Sequence, residues 1–480
     1  MIEIGPIFLL LLVIGLVIWR LPKVDIDHSK AFTRRRFMNW FPVGLTYAFL
    51  YMARYNLSVL KDLVDARFLS KDDFGMIFGA GTITYGLSFV INGPLTDRVG
   101  GRKTMILSAT GVLVTNVIIG ILVATTLTSM QNGGARPSYV YGSLMALYAL
   151  NMYFQSFGAV SIVKVNSAWF HLRERGTFGG IFGVLISLGV YFAFDWGRKV
   201  GEGISRPAMF YVPAAVLGLL LIPLIFVVRD TPGEAGHADF DTGDASYATI
   251  EGETSLARVK RVGLLMLRSR SILIIACIEF FSGFLRNTIM QWYMSYAAGV
   301  GAFLKADPTK GLPTRGDFIP MHWGMMLCLA GIFGGMFAGI ISDRFFQSRR
   351  GPVSAVLYGG MVLGSIALFF LVGSPLVGVI AVFMSMCIIG VHGMLSGTAS
   401  MDFAGKANVG IAVGIIDGFV YLGTGLQSLI LGKILPEGPA AKVAENWKSW
   451  PLTMLPAALI GFALAMLVWN AKPTRGPAAH

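Results

Sequence analysis

The sequence predicts an all-α polytopic membrane protein built as two six-helix bundles, with one extra hydrophobic helix at the N-terminus. Three observations carry that reading. Hydrophobic residues make up 55% of the 480-residue chain and charged residues only 14%, against about 25% charged in soluble domains. Apolar runs of roughly 18–25 residues recur from end to end, each long enough to cross a hydrocarbon core as helix. A short motif also occurs twice, at the same place in each half. A β-barrel would alternate polar and apolar residues over short segments, and a chain with 59 glycines and few such alternations does not fit one.

The first run, "GPIFLLLLVIGLVIWRLPK" within residues 1–22, follows an acidic residue, Glu3, and precedes no A-x-A cleavage pattern. A retained helix is expected there rather than a signal peptide; its short apolar length also fits a helix lying in the interface. Spans at 38–60, 73–95, 103–126, 138–164, 176–196 and 207–228 make the N-terminal bundle, 38–228. Residues 229–267, opening with "RDTPGEAGHADFDTGDAS", are small, polar and mixed in charge, and read as a linker. Spans at 270–299, 320–342, 352–373, 375–400, 408–433 and 450–470 make the C-terminal bundle, 268–470.

If residues 20–37 are cytoplasmic, most of the 39 Lys and Arg fall on that side, including "TRRRF" and "ARVKRV". The positive-inside rule then places the linker and the C-terminus in the cytoplasm, and a bacterial inner membrane is the expected location. The net charge of +13 is scattered through loops, so it reads as an orientation signal and not as a nucleic-acid surface. Cys277, Cys328 and Cys387 all lie in apolar runs and read as small core residues. The chain has no G-x-x-x-x-G-K-[ST], no H-E-x-x-H, no cysteine–histidine cluster and no serine–histidine–acid set in a plausible order. No enzyme, metal or cofactor is expected.

The repeated motif is "GPLTDRVGGRK" (93–103) and "GIISDRFFQSRR" (339–350), each following the second span of its half. Asp97, Arg98, Arg102 and Lys103 in the first copy, and Asp343 and Arg344 in the second, read on their own as positive-inside anchors. Two parallel repeats are a recognised transporter plan.

Two arginines stand out inside the spans: Arg54 in "YMARYNLSVL" and Arg286 in "FSGFLRNTIMQWYMSY". A charge there costs at least ~2.5–3.5 kcal/mol. At ~1.5 Å per residue, Arg54 lies ~20 Å from Phe41 and Arg286 ~22 Å from Ser271, so the two halves carry them at similar depth. Two empty guanidiniums would repel each other. An anion held by both removes the penalty and suits the planar donor fork of arginine. The alternative pairs each with an acid, but Glu279 is ~10 Å along the helix from Arg286, and no acid lies within a turn of Arg54 toward the interior.

The first motif copy resembles the loop signature of the major facilitator superfamily. With "YMARYNLSVL", "VNSAWFHLRERG" (165–176), "RDTPGEAG", "FLRNTIMQWYMSY" and "MDFAGKANVGIAVGIIDGFVYLGTG" (401–425), the chain resembles the organophosphate:phosphate antiporters of that superfamily over most of 38–470. The resemblance implies the major facilitator fold and alternating access, usually as a monomer. The function it implies is exchange of a small, phosphorylated organic anion for inorganic phosphate. It puts the phosphate grip on Arg54 and Arg286, a recurrent fourth-span cation on Lys164, and the gate on the Asp-Arg motif. The chain departs from the pattern where the family's fifth-span histidine falls on Ile186 and a second-span lysine on Phe89. Asp417 stands where relatives carry small or apolar residues. These departures put the substrate in doubt, not the fold.

Other intramembrane polar groups keep two readings each. Asp417 and Glu279 are proton-coupling carboxylates or packing groups. His392 binds substrate or packs. Tyr55 and Gln291 line a cavity by proximity to the arginines. A proton-coupled carrier of an organic carboxylate and a non-transporting sugar-phosphate sensor remain the alternative functions.

Overall fold

The computed structural model describes residues 29–171, 183–240, 268–301, 318–346, 350–395 and 409–470, with isolated positions from 257 to 264. The expected helix over 1–22, most of the linker, the end of the 165–176 stretch and the start of the 401–425 stretch lie outside them. Among the described residues the regular structure is helical, and nine helices are long and apolar enough to cross a membrane.

The chain divides into two units, residues 1–59 with 88–255 and residues 60–87 with 256–480. The first contains α1 (Lys30–Leu60) up to residue 59, the second half of α2 (Lys71–Val99), α3 (Gly101–Gln131), α4 (Tyr139–Ser167), α5 (183–203) and α6 (Ala208–Phe226). Ser29 starts α1 by accepting the Phe32 N–H on its side-chain oxygen at 3.1 Å, which satisfies one orphan donor of the first turn. α3 packs on α4 and α6. Glycines allow the close approaches: Gly111 faces the Phe154 ring, Gly120 the Tyr211 ring, and Gly189 the Ala48 backbone of α1. α5 widens at Phe192–Trp196 into a π-helical turn. Leu107, Val114, Ile118 and Ile121 on α3 are exposed apolar residues three to seven positions apart, a stripe suited to lipid.

The second unit holds α7 (Arg270–Gly299), α8 (Trp323–Phe345), α9 (Arg350–Phe370), α10 (Val377–His392), α11 (Val409–Ile434) and α12 (Ser449–Leu467). α9 packs on α10 and α12, repeating the way α3 packs on α4 and α6. The repeat seen in the motif therefore extends to helix neighbours.

Residues 60–87 group with the C-terminal half, although the sequence places them in the N-terminal bundle. The reason is local chemistry. Ser70 and Asp73 cap α2 reciprocally, the Asp73 N–H reaching Ser70 Oγ at 3.0 Å and the Ser70 N–H reaching Asp73 Oδ2 at 3.3 Å. The first half of α2 is then bare enough to lie on α11, Gly75 against Gly432, Gly79 against Gly425 and Gly86 against Gly418. The preceding loop is pinned as well. Lys61 Nζ donates to Asp62 Oδ2 at 2.8 Å and to the Gln291 carbonyl at 2.9 Å, and Ser295 Oγ donates to Asp62 Oδ1 at 2.6 Å.

Candidate functional site

Arg54 is 1% exposed. Its Nε donates to Gln155 Oε1 at 2.9 Å. Gln155 Nε2 donates to Asn151 Oδ1, and Asn151 Nδ2 to Thr115 Oγ1, both at 2.9 Å. The Thr115 hydroxyl ends the chain on the Gly111 carbonyl at 2.8 Å. Every amide in this relay spends one donor and one acceptor in the same sense, an arrangement in which hydrogen bonds polarise one another. Tyr148 adds a hydroxyl donor to the Arg54 carbonyl at 3.0 Å, and the guanidinium lies over the Tyr51 ring, 4.6 Å from its centroid. The relay fixes the direction of the Nε edge of the fork with neutral groups. Two residues on, Asn56 Nδ2 donates to Asn116 Oδ1 at 2.6 Å. Tyr55 is buried and stacks on Phe194 at 5.8 Å.

Lys164, which the resemblance puts with the substrate, sits elsewhere in this structure. Nine residues beyond Gln155, ~14 Å along α4, its Nζ pairs with Asp97 Oδ1 at 2.8 Å. Both side chains are open to solvent, 41% and 66% exposed, and such a pair is worth at most ~1 kcal/mol. Lys164 therefore belongs to the first Asp-Arg motif. In that motif Arg98 and Lys103 are exposed. Arg102 reaches the ends of α6 instead, Nε to the Leu224 carbonyl at 3.2 Å and a second guanidinium N–H to the Ile225 carbonyl. Its backbone N–H meets Asp230 Oδ1 at 2.7 Å. Gly100, at φ +100°, is the one residue type that turns the chain here, and a Cβ on it would lie 2.7 Å from Asp230 Oδ2.

Residues 229–240, expected to open a linker, are thus packed into the N-terminal unit. Asn39 exchanges two hydrogen bonds with the Arg229 backbone, Trp169 Nε1 donates to the same carbonyl at 3.0 Å, and Phe32 meets the rings of His237 and Phe240. Burial pushes the Asp230 carboxyl up and Glu234 adds to that, while the Arg102 N–H and the charges of Arg102 and Lys164 pull it down. A folded value above the unfolded one gives stability that is present at low pH and lost as pH rises past the ordinary carboxylate range. Thermal unfolding between pH 4 and 7 is expected to show that loss, and Asp230→Asn, which keeps the acceptor for Arg102, is expected to flatten it.

In the second motif copy, Arg344 is exposed in the last turn of α8, and the Asp343 side chain lies outside the described residues.

The C-terminal unit brings together residues that the sequence offers separately. Glu279 is fully buried, and its Oε2 lies 2.8 Å from His392 Nδ1. Arg286 and half-buried Asp417 are within electrostatic reach of the same imidazole. Arg286 also lies over the Tyr421 ring at 5.7 Å. Further along α7, Asn287 Nδ2 donates to Thr424 Oγ1 at 2.8 Å. Gln291 is fully buried, and neither amide atom has a hydrogen-bond partner among the described residues. Leaving such groups unpaired costs ~1–3 kcal/mol each. Ile186 and Phe89 carry no titratable group, as the sequence shows.

The sequence reading missed Gln155, Asn151, Thr115 and Asn116. Asn151 and Gln155 stand four apart in an apolar run, a one-face spacing that was there to be read.

The family model of the Major Facilitator Superfamily matches residues 43–428. The chain belongs to the Major Facilitator Superfamily. It is an integral membrane protein of a family of transporters, not of enzymes. Within the superfamily it is 25% identical over 469 residues to the "Glycerol-3-phosphate transporter" of Bacillus subtilis (strain 168), covering 93% of this chain and 95% of that protein. It is 24% identical to the "Membrane sensor protein UhpC" of Escherichia coli (strain K12), covering 94% and 96%. It is 23% identical to the "Probable hexose phosphate transport protein" of Chlamydia pneumoniae, covering 94% and 95%. These relatives are consistent with the organophosphate:phosphate antiporter resemblance. The fold matches a bacterial homologue of the human lysosomal transporter Spinster, with a TM-score of 0.64, 14% identity and coverage of 92% and 98%. It also matches the nucleoside transporter NupG, with a TM-score of 0.63, 13% identity and coverage of 90% and 99%.

Proposed function

We propose that this major facilitator protein is a secondary transporter of a small phosphorylated organic anion, exchanged for inorganic phosphate by alternating access. The observation that carries the reading is the buried Arg54 guanidinium held by a relay of neutral amides. A brace of neutral amides aims the Nε edge of the guanidinium and brings no negative charge of its own. Arg286 supplies the second guanidinium from the matching span of the other half, and Tyr55, Gln291 and His392 add donors around the anion. Bound anion offsets the arginine charge, so the loaded carrier reorients and the empty one does not, which makes exchange obligatory. Asp97, Arg98, Arg102, Lys103, Asp343 and Arg344 form the cytoplasmic gate. The protein works as a monomer in a bacterial cytoplasmic membrane with its C-terminus inside.

A second reading, a substrate sensor, is favoured by the two relatives named membrane sensor proteins. Phosphate counterflow separates the two. Proteoliposomes preloaded with unlabelled phosphate are expected to take up labelled phosphate, and phosphorylated competitors are expected to inhibit more than carboxylates of equal size. Binding of the same competitors with no flux would select the sensor.

A further inference from the structure

The C-terminal end of α6 gathers more positive charge than the helix end itself can offset. The last carbonyls of a helix have no partner within it, and here arginines supply the donors. Arg102 reaches the carbonyls of Leu224 and Ile225. Arg35, from the start of α1, donates from Nη2 to the Val227 carbonyl at 2.6 Å, and Arg229 from Nη1 to the Val228 carbonyl at 2.8 Å. A helix C-terminus carries only about half a negative charge, so it does not neutralise Arg35 and Arg229 together. Burial and the Arg229 charge both push the Arg35 guanidinium below its ordinary pKa.

The carboxylates of the following segment are spent elsewhere. Asp230 Oδ1 accepts the Arg102 N–H at 2.7 Å, Glu234 Oε2 the Asp230 N–H at 3.0 Å, and Asp239 Oδ1 the Gly233 N–H at 2.7 Å. Among the described residues no carboxylate pairs with Arg35 or Arg229, and both are half-buried. The pair sits where a lipid-facing surface stops. Ile222, Ile225 and Phe226 stand at i, i+3 and i+4 on one face of α6, and all three are exposed. On α1, exposed Phe37 and Met38 open the apolar run just past Arg35, whereas Lys30 and Arg34 before it are exposed and basic. On both helices the change falls at the level of the two arginines, which is where headgroups meet a membrane protein.

We propose that Arg35 and Arg229 bind the phosphate of one anionic phospholipid, whose acyl chains lie on the exposed apolar face of α6. A phosphodiester offers two charged oxygens, one for each guanidinium, and its negative charge relieves their repulsion. Lys30 and Arg34 strengthen the field that draws anionic headgroups. The bound lipid ties the start of α1 to the segment that leaves α6. Its leaflet is the cytoplasmic one in the orientation proposed above, and the inference does not depend on which anion the protein carries.

Native mass spectrometry of the purified full chain, titrated with phosphatidylglycerol or phosphatidylcholine of the same acyl composition, tests this. One phosphatidylglycerol is expected to bind at least about tenfold more tightly than phosphatidylcholine, as a charge-assisted contact gives. Arg35→Gln and Arg229→Gln, each keeping a donor for its carbonyl, are each expected to weaken that lipid roughly tenfold or more. Arg34→Gln removes the same charge from an exposed side chain and is expected to change it less than about threefold. Size exclusion checks folding. Arg35→Lys and Arg229→Lys replace a glutamine variant that fails to fold, with a smaller loss expected because the charge stays and the fork goes. Wild type that does not distinguish the two lipids would overturn the proposal, as would arginine variants that bind phosphatidylglycerol like wild type. So would equal weakening by Arg34→Gln, the mark of a general surface field, or displacement of the lipid by inorganic phosphate, the mark of a free-anion site. None of these outcomes touches the reading of Arg54.

Discussion

Arg54→Lys is expected to lower phosphate exchange by roughly 10- to 150-fold, and Arg54→Ala to abolish it, with the protein folded in both cases. The magnitude follows from the brace. A hydrogen bond to a charged group contributes about 1.5–3 kcal/mol, and each 1.4 kcal/mol is a factor of ten. Lysine keeps the charge but loses the planar fork and the Nε that Gln155 holds at 2.9 Å. The alanine variant removes a costly buried charge and leaves Gln155 Oε1 without its donor, two effects of opposite sign on stability. Gln155→Leu tests the relay alone, since Arg54 remains but is no longer aimed. Its initial rate is expected between those of the wild type and Arg54→Ala. Counterflow rates alongside size-exclusion profiles check all three, and a Gln155→Leu rate equal to wild type would remove the relay from the mechanism.

The two arginines look equivalent in the sequence because both interrupt apolar runs at matching depth. Their surroundings divide them. Arg54 is held by an amide relay on α3 and α4, whereas Arg286 shares its neighbourhood with Glu279, His392 and Asp417.

This division shows where sequence reading succeeds. A charge in an apolar run is legible because bilayer energetics make it costly, and so Arg54, Arg286, Glu279 and Asp417 stand out unaided. The order of the described helices follows from the same energetics. Neutral polar residues such as Asn151 and Gln155 cost less, so they pass as ordinary packing until a fold brings Arg54 to them across 101 positions. Glu279 and His392 are each visible, but their pairing joins helices 113 residues apart. Lys164 was assigned by resemblance, and its place in the last turn of α4 beside Asp97 depends on where α2 ends. Nor does chain order show that residues 60–87 group with the C-terminal half. That depends on facing glycines of α2 and α11.

Gly423→Val is expected to prevent accumulation of folded protein, and Gly423→Ala to cost at least about 1–3 kcal/mol, as overpacking of a filled interface does. The contact is reciprocal. A Cβ on Gly423 of α11 would run into the Phe280 carbonyl of α7, and a Cβ on Gly283 of α7 into the Val420 carbonyl of α11. Each obstacle is backbone, so no side-chain rotation relieves it and the helices must separate. Small residues are what let membrane helices approach this closely. Separation would also stretch the bonds that run across the same seam, Asn287 to Thr424 at 2.8 Å and Trp292 to Gln427 at 3.1 Å. It would carry Arg286 away from Tyr421 as well. Stability and anion binding are therefore expected to fall together in Gly423→Ala, read by thermal unfolding and by glycerol 3-phosphate titration of the same sample. Gly335→Ala on α8, where an added Cβ meets nothing within 4 Å, is expected to change neither. A Gly423→Ala protein as stable as wild type would mean that α7 and α11 have room to part, and that the position of Arg286 is set by something other than their contact.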